Sequence, residues 1–431
     1  MYLHLANMQT RNDIMKILIA LGSITPNDDA NSNIAKLLAG ELVRQGHEVT
    51  LLGMAFQACD KRENMDGIHY HRIVNLCPPK RGEINRLFER ANTAQGKVKV
   101  ILHHPLWFFG TCVRWIRARF FDQKELLYVR EFRHLLHREK FDRIIAITSP
   151  FYVATALMRT KTKIPTIWYQ LDPNLTNHSA AYQGKKNLAQ KETKWYRFIQ
   201  YAVVPKLVYK ENQSNLLAQF VDKMIPANFP NVRKITSAIQ NEGLSLDNTK
   251  VNLLFTGTFY EDIRNPLPLF DLISRMNDPQ IQLHIVGGGC LDMIQEWTQK
   301  CPSIVYHGYH PASFAEQMTV QADILVNVDN LSANMLPSKI NDYISTGKPI
   351  LNMHPVAFSA CAQYLEHYPL HLNVLTEEKL SDESVQKIAE FCKSHKYSRV
   401  PFSEIEQNYH ESTPEFVANL LLRGSAHEEI S

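Results

Sequence analysis

The chain has 431 residues, with 47 Lys and Arg against 43 Asp and Glu and a net charge of +4, so two or more full cores are expected and the weak positive balance gives no case for nucleic acid. Hydrophobic residues at 45% and charged residues at 21% make an ordinary globular mixture. The seven cysteines, Cys59, Cys77, Cys112, Cys290, Cys301, Cys361 and Cys392, are odd in number, scattered and free of any CxxC pair, which argues for reduced thiols and against a disulfide framework or a zinc site.

The opening MYLHLANMQTRNDI lacks the apolar run of a secretory leader. No later stretch reaches the roughly 18–20 apolar residues of a spanning helix. Residues before Met15 read as a disordered extension or an upstream start. Lys16–Leu21 (KILIAL) reads as a buried strand ending at Gly22-Ser23. Ile34, Leu37, Leu38 and Leu42 give residues 33–44 a helical spacing that Gly46 ends, and a strand follows at Val49–Leu52. This strand–helix–strand unit predicts a parallel sheet. Residues 81–140 hold 13 Lys and Arg against 6 Asp and Glu. Within them, Trp107, Phe108, Phe109, Trp115, Phe120 and Phe121 alternate with Arg114, Arg117 and Arg119. Such a basic, aromatic segment fits an anionic membrane surface, or a core helix with a basic outer face. Further strands are expected at 143–148, 166–169 and 202–204, with a helix at 150–158.

After a polar, Asn-rich stretch at 228–250 the pattern restarts. Strands are expected at 251–255, 281–286, 304–306 and 324–328, and helices at 266–276 and 314–321. Gly287, Gly288 and Gly289 follow the second of these strands, a run that lets the chain turn close to a ligand. The segment NMLPSKINDYISTGKPIL, from Asn334 to Leu351, reads as a short helix capped by Ser338, stopped by Gly347 and Pro349, and followed by a strand. Residues 403–423 read as a helical tail through Ile405, Phe416, Val417, Leu420 and Leu421.

The sequence PSKINDYISTGKP resembles the PSK-x-x-E-Y-x-x-x-G-K-P stretch of GT-B-fold glycosyltransferases, near the retaining family-4-like group. The opening MKILIALGSITPNDDANSNIAKLLAGELVRQGHEVTLLG, together with LLFTGTFYEDIRNPLPLFDLI, LHIVGGG and ADILVNV, matches that group's segments in order and spacing, over most of the chain. The resemblance implies an α/β protein of two doubly wound Rossmann-like domains facing a central cleft. An acceptor-binding domain at 1–228 would receive a tail helix at 403–425, and a donor-binding domain would cover 229–402. It also implies transfer of a sugar from a nucleoside diphosphate, most simply UDP, without a metal or other cofactor. No DxD sequence sits at a strand end, since Asp28-Asp29 lie in the opening loop. The acceptor would be a saccharide, carried on a polyprenyl lipid in cell-surface polysaccharide assembly. The location would be the cytoplasm or the cytoplasmic membrane face.

The same resemblance assigns residues. Ser338 and Lys339 would lie at the donor diphosphate, with Leu336 also in the donor site, and Arg264 would hold the diphosphate with two parallel N–H bonds, so that Arg264 and Lys339 offset the charge of the leaving group. Asp342 stands where the family has the Glu that binds the ribose, and Asn334 where it has a second Glu. Asp342 keeps the carboxylate, whereas Asn334 keeps hydrogen bonding and loses the charge. Gly22, Ser23, Gly257, Gly287 and Gly288 would border the donor, and Tyr309 would flank the base. Asp172, in WYQLDPN, would touch the acceptor. Ordinary alternatives stand beside each: a helix cap at Ser338, a surface acid at Asp342, a turn-capping Arg264, an exposed Tyr309 and a loop cap at Asp172. The family's His after the mid-domain strand is replaced by Ser149-Pro150, so neither His103 nor His104 is assigned as a base. Two other functions remain open: a silent GT-B subunit that binds nucleotide or a partner transferase, and a nucleotide-sugar epimerase.

Overall fold

A computed structural model describes residues 14–24, 30–56, 59–74, 84, 87–88, 93–120, 123–147, 151–171, 188–235, 245–331, 336–337 and 339–423. The chain divides into two compact units, Phe229–Phe416 on one side and Met1–Asn228 joined by Val417–Ser431 on the other.

The first unit is built on an eight-stranded sheet. In chain order its strands are β1 (Lys16–Ser23), β2 (Glu48–Ala55), β3 (Arg62–Met65), β4 (Ile68–Val74), β5 (Arg143–Ile147), β6 (Thr166–Tyr169), β7 (Tyr201–Pro205) and β8 (Met224–Ala227). Across the sheet they run β3-β4-β2-β1-β5-β6-β7-β8. Residues 17–22 are all buried, as a parallel strand covered on both faces requires, and this is why the strand reads as a continuous apolar run. Only β3 runs antiparallel to its neighbour. It joins β4 through Asp66 and Gly67, both at positive φ, the backbone that suits a tight hairpin. The core beside this sheet centres on Trp168, which meets Trp195 and Tyr196 at ring distances of 5.9 and 4.9 Å.

The second unit carries a six-stranded parallel sheet. Its strands are β9 (Val251–Thr258), β10 (Ile281–Gly288), β11 (Ile304–Gly308), β12 (Ile324–Val328), β13 (Ile350–His354) and β14 (His371–Leu375), ordered β11-β10-β9-β12-β13-β14. Both sheets share one topological device. The chain builds outward from a central strand on one side and then crosses to its other side, so the order reverses between β1 and β5 and again between β9 and β12. Ligands in open parallel sheets collect at such points, beyond the carboxyl ends of the strands.

Three differences from the sequence reading have physical causes. The sequence places the Gly287–Gly289 run after a strand, but β10 extends through Gly288, with Gly287 paired to Gly257 and Gly288 to Thr258. A Cβ on Gly287 would lie 1.7 Å from the Gly257 carbonyl oxygen, so the missing side chain is what allows the two strands to approach. The tail is not one helix. Residues Phe402–Asn408 and Pro414–Arg423 are separate helices with a 3-10 turn at His410–Ser412, and Pro414 begins the last one because proline suits a first turn better than an interior. The basic region 94–138 forms three helices, Ala94–His103, Pro105–Phe120 and Gln123–Arg138; the first buries no residue, and the third buries Tyr128, Val129, Phe132 and Leu135. Among the described residues no helix is long and apolar enough to cross a membrane.

The glycine pair gives a direct test by chemical denaturation. Gly287→Ala should destabilise the protein by at least ~2 kcal/mol, since the clash is with backbone. Gly288→Ala, whose Cβ would meet nothing within 4 Å, should stay within about 0.5 kcal/mol of wild type.

Candidate functional site

At the β9–β12 switch point the second unit gathers several charged groups. The loop after β9 is closed by a backbone bridge between Tyr260 and Arg264, with Arg264 N donating to Tyr260 O at 2.7 Å. The same loop is tied to the exit of β12, where Leu331 N donates to Ile263 O at 2.7 Å and Arg264 Nη2 donates to Asn330 Oδ1 at 2.9 Å. Within electrostatic reach of the guanidinium lies Asp329, 2% exposed, which accepts from the Asn330 backbone N–H at 2.8 Å and from the Ser359 hydroxyl. Burial pushes the Asp329 pKa up, against the pull of those two bonds and of Arg264. Burial also pushes the Arg264 pKa down, with Asp329 opposing it, and the guanidinium stays charged. Its Nε is buried and has no acceptor among the described residues.

A second cation reaches the same place from the helix Lys339–Ser345. Lys339 Nζ donates to Thr256 O at 3.0 Å, and Thr256 Oγ1 lies 3.3 Å away. Tyr343, one turn later, places its hydroxyl 3.0 Å from Thr256 Oγ1 and 3.3 Å from Thr256 N. These bonds pin the helix to the carboxyl end of β9. Lys339 is exposed by surface area, yet protein crowds its ammonium, a combination that a recess produces. Burial lowers its pKa to about 8; Asp342 opposes the change and Arg264 adds to it. Lys339 and Arg264 are thus two like charges close enough to disfavour one another. Such a pair is stabilised by an anion that meets both.

Asp342, in the first turn of the same helix, accepts from Arg233 Nη1 at 2.9 Å, and Arg233 N donates to Ser345 Oγ at 3.1 Å. Burial pushes the Asp342 pKa up and Arg233 pulls it down. Solvent still reaches 42% of the Arg233 side chain and 47% of the Asp342 side chain, so the crowding around them is partial. An ion pair this exposed contributes only about 0–1 kcal/mol, and Asp342 can exchange it for other donors at little cost.

The remaining sequence candidates fall into place around these groups or outside them. Gly257 lies at the end of β9, and a Cβ there would come 3.6 Å from Lys339 Nζ. Gly287 and Gly288 close β10 alongside it. Leu336 packs on the core beneath the Lys339 helix. Tyr309 is 85% exposed in the loop after β11. Gly22 and Ser23 end β1 in the first unit, where Gly22 O accepts from the hydroxyls of Tyr152 at 3.1 Å and Tyr128 at 3.2 Å. Ser338, Asn334 and Asp172 lie outside the described residues, as do Asp28 and Asp29. His103 ends one helix and His104 lies between it and the next.

The sequence reading missed Arg233, Thr256, Asp329, Asn330 and Tyr343. A usable signal existed for Asp329 and Asn330: a polar pair directly after the buried strand ILVNV marks the exit of a strand at a switch point. Arg233 gave none, because its role depends on the chain returning past the helix at 339–345. Lys348, from the Gly-Lys-Pro stretch, belongs elsewhere: its ammonium donates to Val320 O and Ala322 O, and burial lowers its pKa to about 7. Among the described residues no three His, Cys, Asp or Glu side chains are gathered as a metal ion would require.

Comparison with known structures agrees with this topology. The chain is similar to sucrose-phosphate synthase from Thermosynechococcus elongatus, with a TM-score of 0.61 and 12% identity over 94% of this chain and 97% of that one. It is similar to the lipopolysaccharide outer core galactosyltransferase WaaB, at 0.54 and 12% over 94% and 97%. It is also similar to Anabaena HepE in complex with UDP, at 0.51 and 12% over 94% and 95%. No sequence-family profile and no curated sequence matches the chain. The fold is therefore GT-B, that of two parallel-sheet units, as the sequence resemblance implies.

The low Lys339 pKa gives a signed expectation. Below about 8 the folded chain carries the full cost of a crowded charge. Between about 8 and the ordinary 10.5 the unfolded chain holds more of this proton than the folded one, so stability rises with pH. Denaturation at pH 7.5 and pH 10 should show a smaller rise for Lys339→Met than for wild type.

Proposed function

We propose that this GT-B-fold chain is a glycosyltransferase that moves a sugar from a nucleoside diphosphate, most simply UDP, to a saccharide acceptor. The observation that carries the reading is the pair of crowded cations, Arg264 and Lys339, at the switch point of the second unit. One has a buried Nε with no acceptor among the described residues, and the other has a pKa lowered to about 8. A diphosphate answers both: its oxygens accept from the guanidinium edge, and its charge offsets the repulsion. The UDP in the HepE structure and the galactosyl transfer named for WaaB support the same donor class.

In the proposed reaction the sugar–oxygen bond to the diphosphate breaks and the acceptor oxygen bonds to the anomeric carbon. Negative charge grows on the departing phosphate, where Arg264 and Lys339 favour it more than they favour the intact donor. The acceptor proton passes to a leaving phosphate oxygen, so no side-chain base and no metal is needed, and attack from the departing face retains the anomeric configuration. Asp342 would turn from Arg233 to the ribose hydroxyls. Asn334 and Ser338 would complete the donor site, with Leu336 beneath it and Tyr309 beside the base. Gly22, Ser23 and Asp172 belong to the first unit, which would take the acceptor. A polyprenyl-linked saccharide in cell-surface polysaccharide assembly at the cytoplasmic face fits this chemistry.

The second reading is a silent nucleotide-binding subunit. The replacement of both family Glu residues, by Asn334 and Asp342, favours it. Binding and turnover separate the two. UDP should raise the melting temperature of the wild type, and its affinity should fall ~10–100-fold in Arg264→Ala and in Lys339→Met, one or two charge-assisted bonds each. UDP affinity should also weaken as pH rises through about 8, when Lys339 loses its proton. Release of UDP from a UDP-sugar only when acceptor is present marks a transferase. Binding without release marks the silent subunit, and absence of any shift with UDP, GDP or ADP would sink both.

A further inference from the structure

The helix Ala94–His103 has no buried residue, and its partner Pro105–Phe120 turns large apolar groups outward. Val98 and Leu102, one turn apart on the first helix, are 52% and 71% exposed. Leu106, Phe109 and Val113, spaced by three and four on the second, are 88%, 70% and 38% exposed. At that spacing residues of one helix share a face. Trp107 on the second helix has its ring 5.4 Å from that of Phe88. An isolated helix of 10 residues is marginal in water, so this one needs a cover for its apolar side.

The charges say what the cover is. From Arg90 to Phe121 the sequence holds six Lys and Arg and no Asp or Glu. A second copy of the chain would bring two acid-free basic stretches together, which like-charge repulsion opposes. A nucleic acid would answer the charge but offers nothing to bury aliphatic side chains. An anionic bilayer answers both, since its headgroups attract the lysines and arginines and its acyl boundary takes the apolar ridge. We propose that the helix pair at 94–120 is a docking surface for an anionic lipid membrane, with Leu102, Leu106 and Phe109 entering the acyl boundary. The surface stands on exposure and charge and is independent of the donor site.

The test is co-sedimentation of the full chain with vesicles of phosphatidylcholine, alone or with about one-third phosphatidylglycerol. Binding should be at least ~10-fold tighter to the anionic vesicles and should weaken as salt shortens the reach of the charges. Leu106→Asp with Phe109→Asp should lose ~10-fold or more, with an unchanged melting temperature because both side chains are already exposed. Lys97→Gln with Lys99→Gln should weaken anionic binding and leave the salt-independent remainder. Equal binding to both vesicle types, or full binding by the aspartate variant, overturns the proposal. So does a wild-type dimer in light scattering that the aspartate variant abolishes, or binding of a single-stranded oligonucleotide without vesicle binding. Because the aspartate changes lie far in sequence from Arg264 and Lys339, a UDP-induced melting shift is read separately from vesicle binding.

Discussion

Much of the second unit depends on how Thr256 is used. Its carbonyl and hydroxyl, at the last buried turn of β9, receive Lys339 and Tyr343 from one short helix. Each bond contributes only about 1 kcal/mol net, yet together they fix the rotation of a seven-residue helix that could not hold its orientation alone. With that orientation set, Lys339 comes within electrostatic reach of Arg264 and Asp342 turns toward Arg233. A different rotation would put the lysine in open solvent, where neither its lowered pKa nor its proximity to the guanidinium would arise.

The sheet beneath supplies rigidity through polar as well as apolar packing. Asn327, Asn352 and Asn373 occupy matching registers on β12, β13 and β14, and their amides join in sequence at 2.7 and 2.9 Å. A one-residue slip of any of these strands would leave buried amides without partners, so the row enforces the register. Register matters here because β12 delivers Asp329 and Asn330 directly to Arg264. A guanidinium held by the Asn330 amide, with a buried carboxylate in electrostatic reach, has less freedom to lose on binding an anion.

In the first unit the same logic operates with hydroxyl groups. Tyr128, fully buried, reaches the carbonyls of Leu21 and Gly22 at 2.5 and 3.2 Å, and Tyr152 joins it at Gly22. Burial pushes the Tyr128 pKa well up, which keeps the hydroxyl protonated and able to donate. At the far end of the sheet, Arg143 and Tyr201 hold the last carbonyls of the helix Pro414–Arg423. A cation at a helix C-terminus also meets the negative end of its dipole, so Arg143 fastens the returning chain in two ways.

The strands were legible in the sequence because buried parallel strands are written as uninterrupted apolar runs, and KILIAL, TIWY and ILVNV each mark one. The pieces that resemble GT-B proteins, PSKINDYISTGKP above all, carried the fold. The charged edge strand β3, whose four residues are all exposed, was not legible, because nothing in its pattern separates it from a loop. For the site, Arg264 and Lys339 could be picked out one at a time from their neighbours in sequence. That each feels the other's charge, that a buried Asp329 acts on one and Thr256 holds the other, was decided by the tertiary fold. Those partners are separated by 65 to 83 residues along the chain, and only the strand order of a doubly wound sheet brings the ends of β9 and β12 side by side.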